Sequence, residues 1–436
     1  MPANYNQNHF LNRNEPELEE TSSIENAPNQ SASANNNATP DMVIDDSDRY
    51  SRLRLIGWWD QEKIASAKIL VVGAGALGNE VLKNLALLGL GHVYLIDFDE
   101  IQDSNLTRSV LFRAHHNGQP KSNVAAEMAS ELNPDCKIKP MFGDVLTDIG
   151  LGLVRDVDLV ICCVDNREAR LWINRMCWKA NTPWIDGGIQ EINGVAKVFM
   201  PPDGSCYECA MTENDYRLIS LRYSCPLLKQ EDIQQGKVPT APTIASIIGG
   251  IQVQEALKLI HSLPAAEGTA LVFNGAANRF YQTKYPKRED CLSHETYEDI
   301  LELPLSAERS TVADVFQAID QARADGKINN EKASSDPGPY RLILDRDFLT
   351  QLVCRSCDTN KEVNQPLCKV GSRDGVCEQC QQPLQPETTC EIEADSELVN
   401  RKLIELGVPA YDILKVVNDE MTFFVLLADD NKAFII

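Results

Sequence analysis

The stretch Ile69-Leu70-Val71-Val72-Gly73-Ala74-Gly75-Ala76-Leu77-Gly78 joins an apolar strand pattern to a glycine-rich turn and then to a helix pattern. Such a turn lets backbone N–H groups at a helix N-terminus face a phosphate chain. Alone it is shared by nicotinamide and flavin enzymes. Four downstream motifs narrow the chemistry: Asp97-Phe98-Asp99, Ser104-Asn105-Leu106-Thr107-Arg108, Gly118-Gln119-Pro120-Lys121 and Val164-Asp165-Asn166. Carboxylate, amide, guanidinium, amine and a second carboxylate form a set suited to the phosphates of ATP. Asp97 comes after Gly78 at roughly the 20-residue distance at which an acid reaches a ribose hydroxyl. Taken singly, each residue has an ordinary reading: Asp97 and Asp99 as loop acids, Arg108 and Lys121 as solvated charges, Asp165 as a helix cap.

A second group of residues has metal-ligand spacing. Cys206-x-x-Cys209 and Cys291-x-x-His294 together offer three thiolates and an imidazole, a tetrahedral set for a structural zinc ion. Cys354-x-x-Cys357 and Cys377-x-x-Cys380 have the spacing of a zinc ribbon. A redox reading of these pairs is weaker, since two pairs at ribbon spacing are explained by one metal. Cys162 and Cys163 fall in an apolar strand pattern and Cys177 in a helix pattern.

These residues need a frame. Ile69–Val72, Val93–Ile96, Lys137–Met141 and Leu159–Cys162 read as strands, alternating with helices over Ala76–Leu88, Lys121–Leu132 and Arg167–Ala180. That alternation predicts an α/β fold with a doubly wound, mostly parallel sheet of Rossmann type. Pro183–Gly187 and Gly194–Phe199 lack a helix between them, so the far side of the sheet is expected to be mixed. A long helix over Thr243–Ile260 and a strand over Ala270–Asn274 come next. In an open parallel sheet, ligands sit beyond the carboxyl ends of the strands. The glycine turn, Asp97/Asp99 and Asp165/Asn166 all leave strands there, so separate motifs converge on one crevice.

Three regions are expected. Residues 1–47, rich in Asn, Glu, Ser and Ala, are predicted to be a disordered tail. Residues 48–300 hold the sheet, and residues 301–436 form a smaller α+β region carrying the ribbon over 354–380. In the last region a helical stripe runs over Ser310–Ala324, a polar linker over Asp325–Gly338, a helix near Ser396–Leu406 and a strand at Phe423–Leu427. The formal charge of −23 argues against a nucleic-acid surface. The absence of a long apolar run argues against a membrane span. With no secretory signal pattern and with cysteines in pairs, reduced thiols in a cytoplasmic protein are expected.

The order of motifs resembles the ubiquitin-activating enzymes and their bacterial relatives MoeB and ThiF, over about residues 49–294. The resemblance implies roles. Gly73, Gly75 and Gly78 would form the phosphate loop, with Asp99 and Asn166 lining the nucleotide site. Asp97 would hold the ribose, Asn105, Arg108 and Lys121 the phosphates, and Asp165 a magnesium ion. Arg49-Tyr50-Ser51-Arg52 matches a leading Arg-Tyr-x-Arg, whose second arginine reaches the partner subunit's ATP, so Arg52 would act in trans in a homodimer. Ser109 departs from the glutamine often found there. The segment between the first cysteine pair and the Thr243 helix would carry an acyl-accepting thiol. Cys225, flanked by Arg222 and Lys229, is the candidate, with Cys368 and Cys390 as fallbacks.

The expected activity is ATP-dependent adenylation of the C-terminal glycine of a ubiquitin-like protein, then thioester formation and transfer to a conjugating enzyme. The alternative is a sulfur-carrier-protein adenylyltransferase that stops short of the thioester. A non-enzymatic scaffold is a third reading, opposed by the intact Arg52, Arg108, Lys121 and Asp165; a Rossmann oxidoreductase, which would bind NAD and ignore ATP, is a fourth.

Overall fold

The computed structural model describes residues 47–213, 215–216, 239–328, 338–370 and 375–435. Nearly all of the expected disordered tail, and residues 329–337 of the expected linker, lie outside this set. After α1 (Gln61–Ser66), the chain alternates β1 (Lys68–Val72), α2 (Ala76–Leu88), β2 (His92–Asp97), α3 (Lys121–Leu132), β3 (Lys137–Phe142), α4 (Leu151–Asp156), β4 (Leu159–Cys162) and α5 (Arg167–Lys179). It continues through β5 (Trp184–Gln190), β6 (Asn193–Phe199), α6 (Pro242–Ile260), β7 (Thr269–Asn274) and β8 (Arg279–Lys284). β4 is buried along its whole length and β1 at all but its first residue. Near-continuous apolar strands of this kind belong to a sheet covered on both faces.

The eight-stranded sheet has the order β3-β2-β1-β4-β5-β6-β7-β8. Its first five strands run parallel, with Ile69 beside Val93 on one flank and Leu159 on the other. The remaining pairs are antiparallel, so the sheet is mixed on the expected side. β8, exposed at every position, shows no apolar alternation and is not foreseen from the sequence. The chain leaves β1 toward β2 on one side and later returns to β4 on the other. That reversal opens a crevice beyond the carboxyl ends of β1 and β4.

A second sheet is built from β9 (Leu301–Leu303), β10 (Arg341–Cys354), β11 (Thr359–Pro366), β12 (Gln385–Glu393), β13 (Ile413–Val417) and β14 (Thr422–Leu427). α7 (Val312–Ala324) covers it, and the predicted stripe Val312, Val315, Phe316 and Ile319 is buried against Leu342, Val416 and Val425. Thr311 and Asp314 form a reciprocal cap at its start, which satisfies donors that helix termini leave free.

The helix expected near Ser396–Leu406 is not formed. The segment makes two short 3-10 turns, Glu397–Asn400 and Leu403–Leu406. Between them Arg401 and Lys402 are extended, and Lys402 bridges Thr311. The Leu403 and Ile404 amides then donate to the Ser310 and Ala307 carbonyls. Pairing with the entry to α7 replaces the intrahelical bonds that the apolar spacing alone would favour.

The two sheets share a core. Tyr411, Ile413 and Leu426 of the second pack with Leu151, Val154 and Trp178 of the first. Asp412 is buried and accepts the Leu151 amide at 2.8 Å, tying β13 to the start of α4. Lys179 pairs with Asp345 at 2.5 Å and Tyr297 stacks on Phe424 at 4.0 Å.

Candidate functional site

The glycine turn sits where the sheet reverses. Gly73 has φ +98, and a Cβ there would lie 2.9 Å from the Cys163 carbonyl oxygen. A Cβ on Gly78 would come within 1.9 Å of the Gly73 carbonyl. Only glycine permits this close approach of turn, helix and neighbouring strand. A Cβ on Gly75, by contrast, would meet no atom of the described residues within 4 Å. Gly75 begins α2, whose first amides have no intrahelical acceptor. An open space faced by free N–H donors is what a phosphate chain requires.

Asp97, at the end of β2, grips this turn. One carboxylate oxygen accepts the Ala74 amide at 2.7 Å and the other the Asp99 amide at 2.8 Å. Burial pushes its pKa up, opposed by the nearby Lys121 ammonium and by these two amides. Lys121 opens α3, with its amide on the Asp99 carbonyl and its buried Nζ 2.7 Å from the Asp99 carboxylate. Turn, Asp97, Asp99 and Lys121 thus form one bonded chain across two strand ends. Arg108 is half-buried and its guanidinium donates to the Ser104 carbonyl at 2.8 Å. Asn105 accepts the Gln102 amide at 2.9 Å. Ser109 is buried.

The third motif leaves β4 beside the first, since the Cys163 amide donates to the Val72 carbonyl at 2.8 Å. Asn166, rather than Asp165, caps α5 by accepting the Ala169 amide at 2.7 Å. Asp165 is left exposed, with no partner among the described residues. The loop is held from beneath by Arg170, which sequence reasoning missed. Its guanidinium reaches the Val164 carbonyl at 2.7 Å, the Gly187 carbonyl at 3.0 Å and buried Asp186 at 2.8 Å. Burial would loosen the Arg170 proton, but the Asp186 carboxylate, with smaller contributions from Cys162 and Tyr207, holds its pKa above the ordinary value. Gln252 of α6 donates to the Cys162 carbonyl at 2.9 Å. Arg170 lies one helical turn after Asn166, and Asp186 is an acid inside an apolar strand. Those were the available signals.

Arg52 is not in this crevice. Tyr50 is bonded to Asn133 and Asp135, just beyond α3, and packs on Gly89 at the end of α2. Both helix ends lie on the rim opposite the glycine turn. Arg52 itself is exposed, and its side chain has no partner among the described residues. Cys225 lies outside the described residues. Cys368 and Cys390 are exposed, on the second sheet's side of the molecule.

Both cysteine sets come together. Cys206 lies 3.6 Å from Cys209 and 3.4 Å from Cys291, and Cys209 lies 3.4 Å from His294 Nε2. Tetrahedral zinc with bonds of about 2.3 Å separates its ligands by roughly 3.8 Å, so the set fits such an ion. Glu208, buried between the first two cysteines, is bonded by Arg175, Tyr216 and Ser293. Burial would raise its pKa, but those bonds hold it below the ordinary value. Cys354, Cys357, Cys377 and Cys380 form the other set, every ligand atom within 4.8 Å of the rest. Amides of Cys380 and Gln379 pull the Cys377 thiol down to about 6. Either cluster can hold a metal ion.

The ThiF family model matches residues 47–293, the span that builds this crevice and the first cysteine cluster up to Ser293. Adenylyltransferase and sulfurtransferase MOCS3-1 of Drosophila pseudoobscura pseudoobscura is 27% identical over 379 residues, covering 83% of this chain and 80% of its own. The NEDD8-activating enzyme E1 catalytic subunit of Schizosaccharomyces pombe is 40% identical over 151 residues, 34% of each chain. SUMO-activating enzyme subunit 2 of Dictyostelium discoideum is 38% identical over 165 residues, 37% of this chain and 25% of its own. With the family model covering more than half its length, the chain belongs to the ThiF family, the ATP-dependent adenylyltransferases akin to ubiquitin-activating enzymes.

Proposed function

We propose that this protein joins the C-terminal carboxylate of a ubiquitin-like protein to AMP. That carboxylate is already ionised near neutral pH, so the reaction needs no general base. One of its oxygens attacks the α-phosphorus of ATP. The new O–P bond forms as the bond to the bridging oxygen breaks, and pyrophosphate leaves with that electron pair. The obstacle is repulsion between anions. Lys121, Arg108 and the free amides at the start of α2 would offset it with charges and dipoles fixed in advance. Holding both reactants in place can contribute up to ~7–11 kcal/mol. Magnesium, held by Asp165, would supply further neutralisation of the phosphates. Arg52 would complete the site from a second copy of the chain. The observation that carries this reading is the bonded chain from the glycine turn through Asp97 and Asp99 to Lys121, with Asp165, which has no partner among the described residues, in the loop after the adjacent strand.

In the next step the thiol of Cys225 would attack the adenylate's carbonyl carbon. A C–S bond forms, AMP leaves with the C–O electron pair, and the thiol proton passes to solvent. A conjugating enzyme would then accept the acyl group. On this reading residues 48–300 form the adenylation domain, and residues 301–436 dock the conjugating enzyme or the modifier. Both cysteine clusters would hold structural zinc, and the protein would work in the cytoplasm as a homodimer.

The second reading is a sulfur-carrier adenylyltransferase without thioester transfer. It is favoured by the length over which the chain matches a protein named as adenylyltransferase and sulfurtransferase. Pyrophosphate exchange into ATP, dependent on a ubiquitin-like protein ending in glycine, tests the adenylation step. No exchange with any such protein would defeat it. A reducible protein–protein adduct absent from Cys225→Ser supports the thioester. An adduct that persists in that variant moves the thiol elsewhere, and no adduct at all selects the second reading.

A further inference from the structure

We infer that Asn79 is a positioning residue that locks the phosphate loop to the segment carrying Arg108, an inference that rests on reading the crevice as an ATP site. Asn79 is wholly buried on α2, whose other buried residues are apolar except Glu80. Its amide group donates to the carbonyls of Ala74 at 2.8 Å and Gly75 at 3.0 Å. Its oxygen accepts the Leu111 amide at 2.9 Å. Asp97 holds the Ala74 amide from the opposite side, so the residue is clamped at both N–H and C=O. That double grip aims the turn, and with it the free donors beyond Gly75. Leu111 is also buried, three residues past Arg108 with buried Ser109 between them. The Arg108 segment is therefore fastened to the same side chain that fixes the turn.

Only a primary amide offers two donors and an acceptor in this arrangement. An aliphatic side chain would leave the Ala74 carbonyl and the Leu111 amide without this partner, and a carboxylate would lose both donors. Asn79 touches no reacting atom. It acts by making the position of Arg108 depend on the position of the loop.

A double-mutant cycle on the full chain tests this, with Asn79→Ser, Arg108→Ala and the combination. On a helix, a serine hydroxyl can bond back to the carbonyl four residues earlier, here Gly75. Asn79→Ser thus retains part of the loop's grip while releasing Leu111. Titration with a fluorescent ATP analogue reads binding, and pyrophosphate exchange reads turnover. Expected are near-normal analogue binding in Asn79→Ser, an exchange rate about tenfold lower, and a much smaller effect of Arg108→Ala in that background than in wild type. If the two losses simply multiply, Asn79 does not act through Arg108 and the inference is overturned. Amide hydrogen exchange on the wild-type chain gives a measurement independent of any variant's folding. Leu111 should gain protection when the analogue binds, and an unchanged Leu111 rate overturns the inference. A wild-type chain that fails to bind the analogue instead removes the ATP reading itself.

Discussion

Asp165 and Lys121 separate chemistry from stability at the level of single residues. Asp165 is exposed and has no partner among the described residues, so the fold gains little from it. Asp165→Ala should lower pyrophosphate exchange about 100-fold while the melting temperature stays at the wild-type value. A matched fall in melting temperature would show a structural role instead. Lys121 is buried, but its partner Asp99 is half-exposed, so losing the amine leaves a carboxylate that water can still reach. Lys121→Met should raise the KM for ATP about tenfold with circular dichroism unchanged. An unaltered KM would place the phosphates away from α3.

Among elements, the two cysteine clusters do different things. The first joins the exit of β6, through Cys206 and Cys209, to the exit of β8, through Cys291 and His294, and Glu208 fastens it to α5. The second closes the tip where β10 turns into β11 around Leu349, Leu352 and Leu384. Elemental analysis should find two zinc ions per chain. Cys377→Ala should lose one and leave affinity for an ATP analogue unchanged. Cys209→Ala should lose the other and lower the melting temperature, because metal binding at such a site is coupled to folding. If Cys377→Ala abolishes nucleotide binding, the second sheet takes part in the crevice.

Across the whole molecule, the junction between the sheets carries a buried acid. Burial pushes the Asp412 pKa up from 3.8 to about 6, opposed by the Arg346 guanidinium. A carboxyl whose pKa is higher in the native state than in the unfolded chain binds protons more tightly when folded. Its contribution to stability is therefore full below pH 3.8 and lost as pH rises to about 6. The loss is of order 3 kcal/mol at most, from about two units at 1.36 kcal/mol each. Asp412→Asn, neutral and able to accept the Leu151 amide, should be more stable than wild type at pH 7.5. It should also flatten the stability profile between about pH 4 and 6. Urea titrations at several pH values check both; an unchanged slope would show that Asp412 ionises without strain on the junction.

The parallel half of the fold was legible because its signals are local. α2, α3 and β4 begin and end where apolar spacing, glycine and proline place them. The motifs that carry the glycine turn, Asp97, Lys121 and Asp165 are short and local, although the bonds that join them span more than twenty residues. The gathering of both cysteine sets was legible from their spacing. Other features needed the folded molecule. β8 and β12 are largely exposed, so no apolar period marks them, and only pairing to a neighbouring strand makes them strands. The Ser396–Leu406 stretch has helical spacing, yet bonds to the Ala307–Thr311 segment took its amides. Asn79, Arg170 and Asp412 look like ordinary polar residues in the sequence. Their weight comes in part from groups delivered by distant segments, the Leu111 amide to Asn79, buried Asp186 to Arg170 and the Leu151 amide to Asp412, because a buried polar group is shaped by whatever partner tertiary packing brings to it.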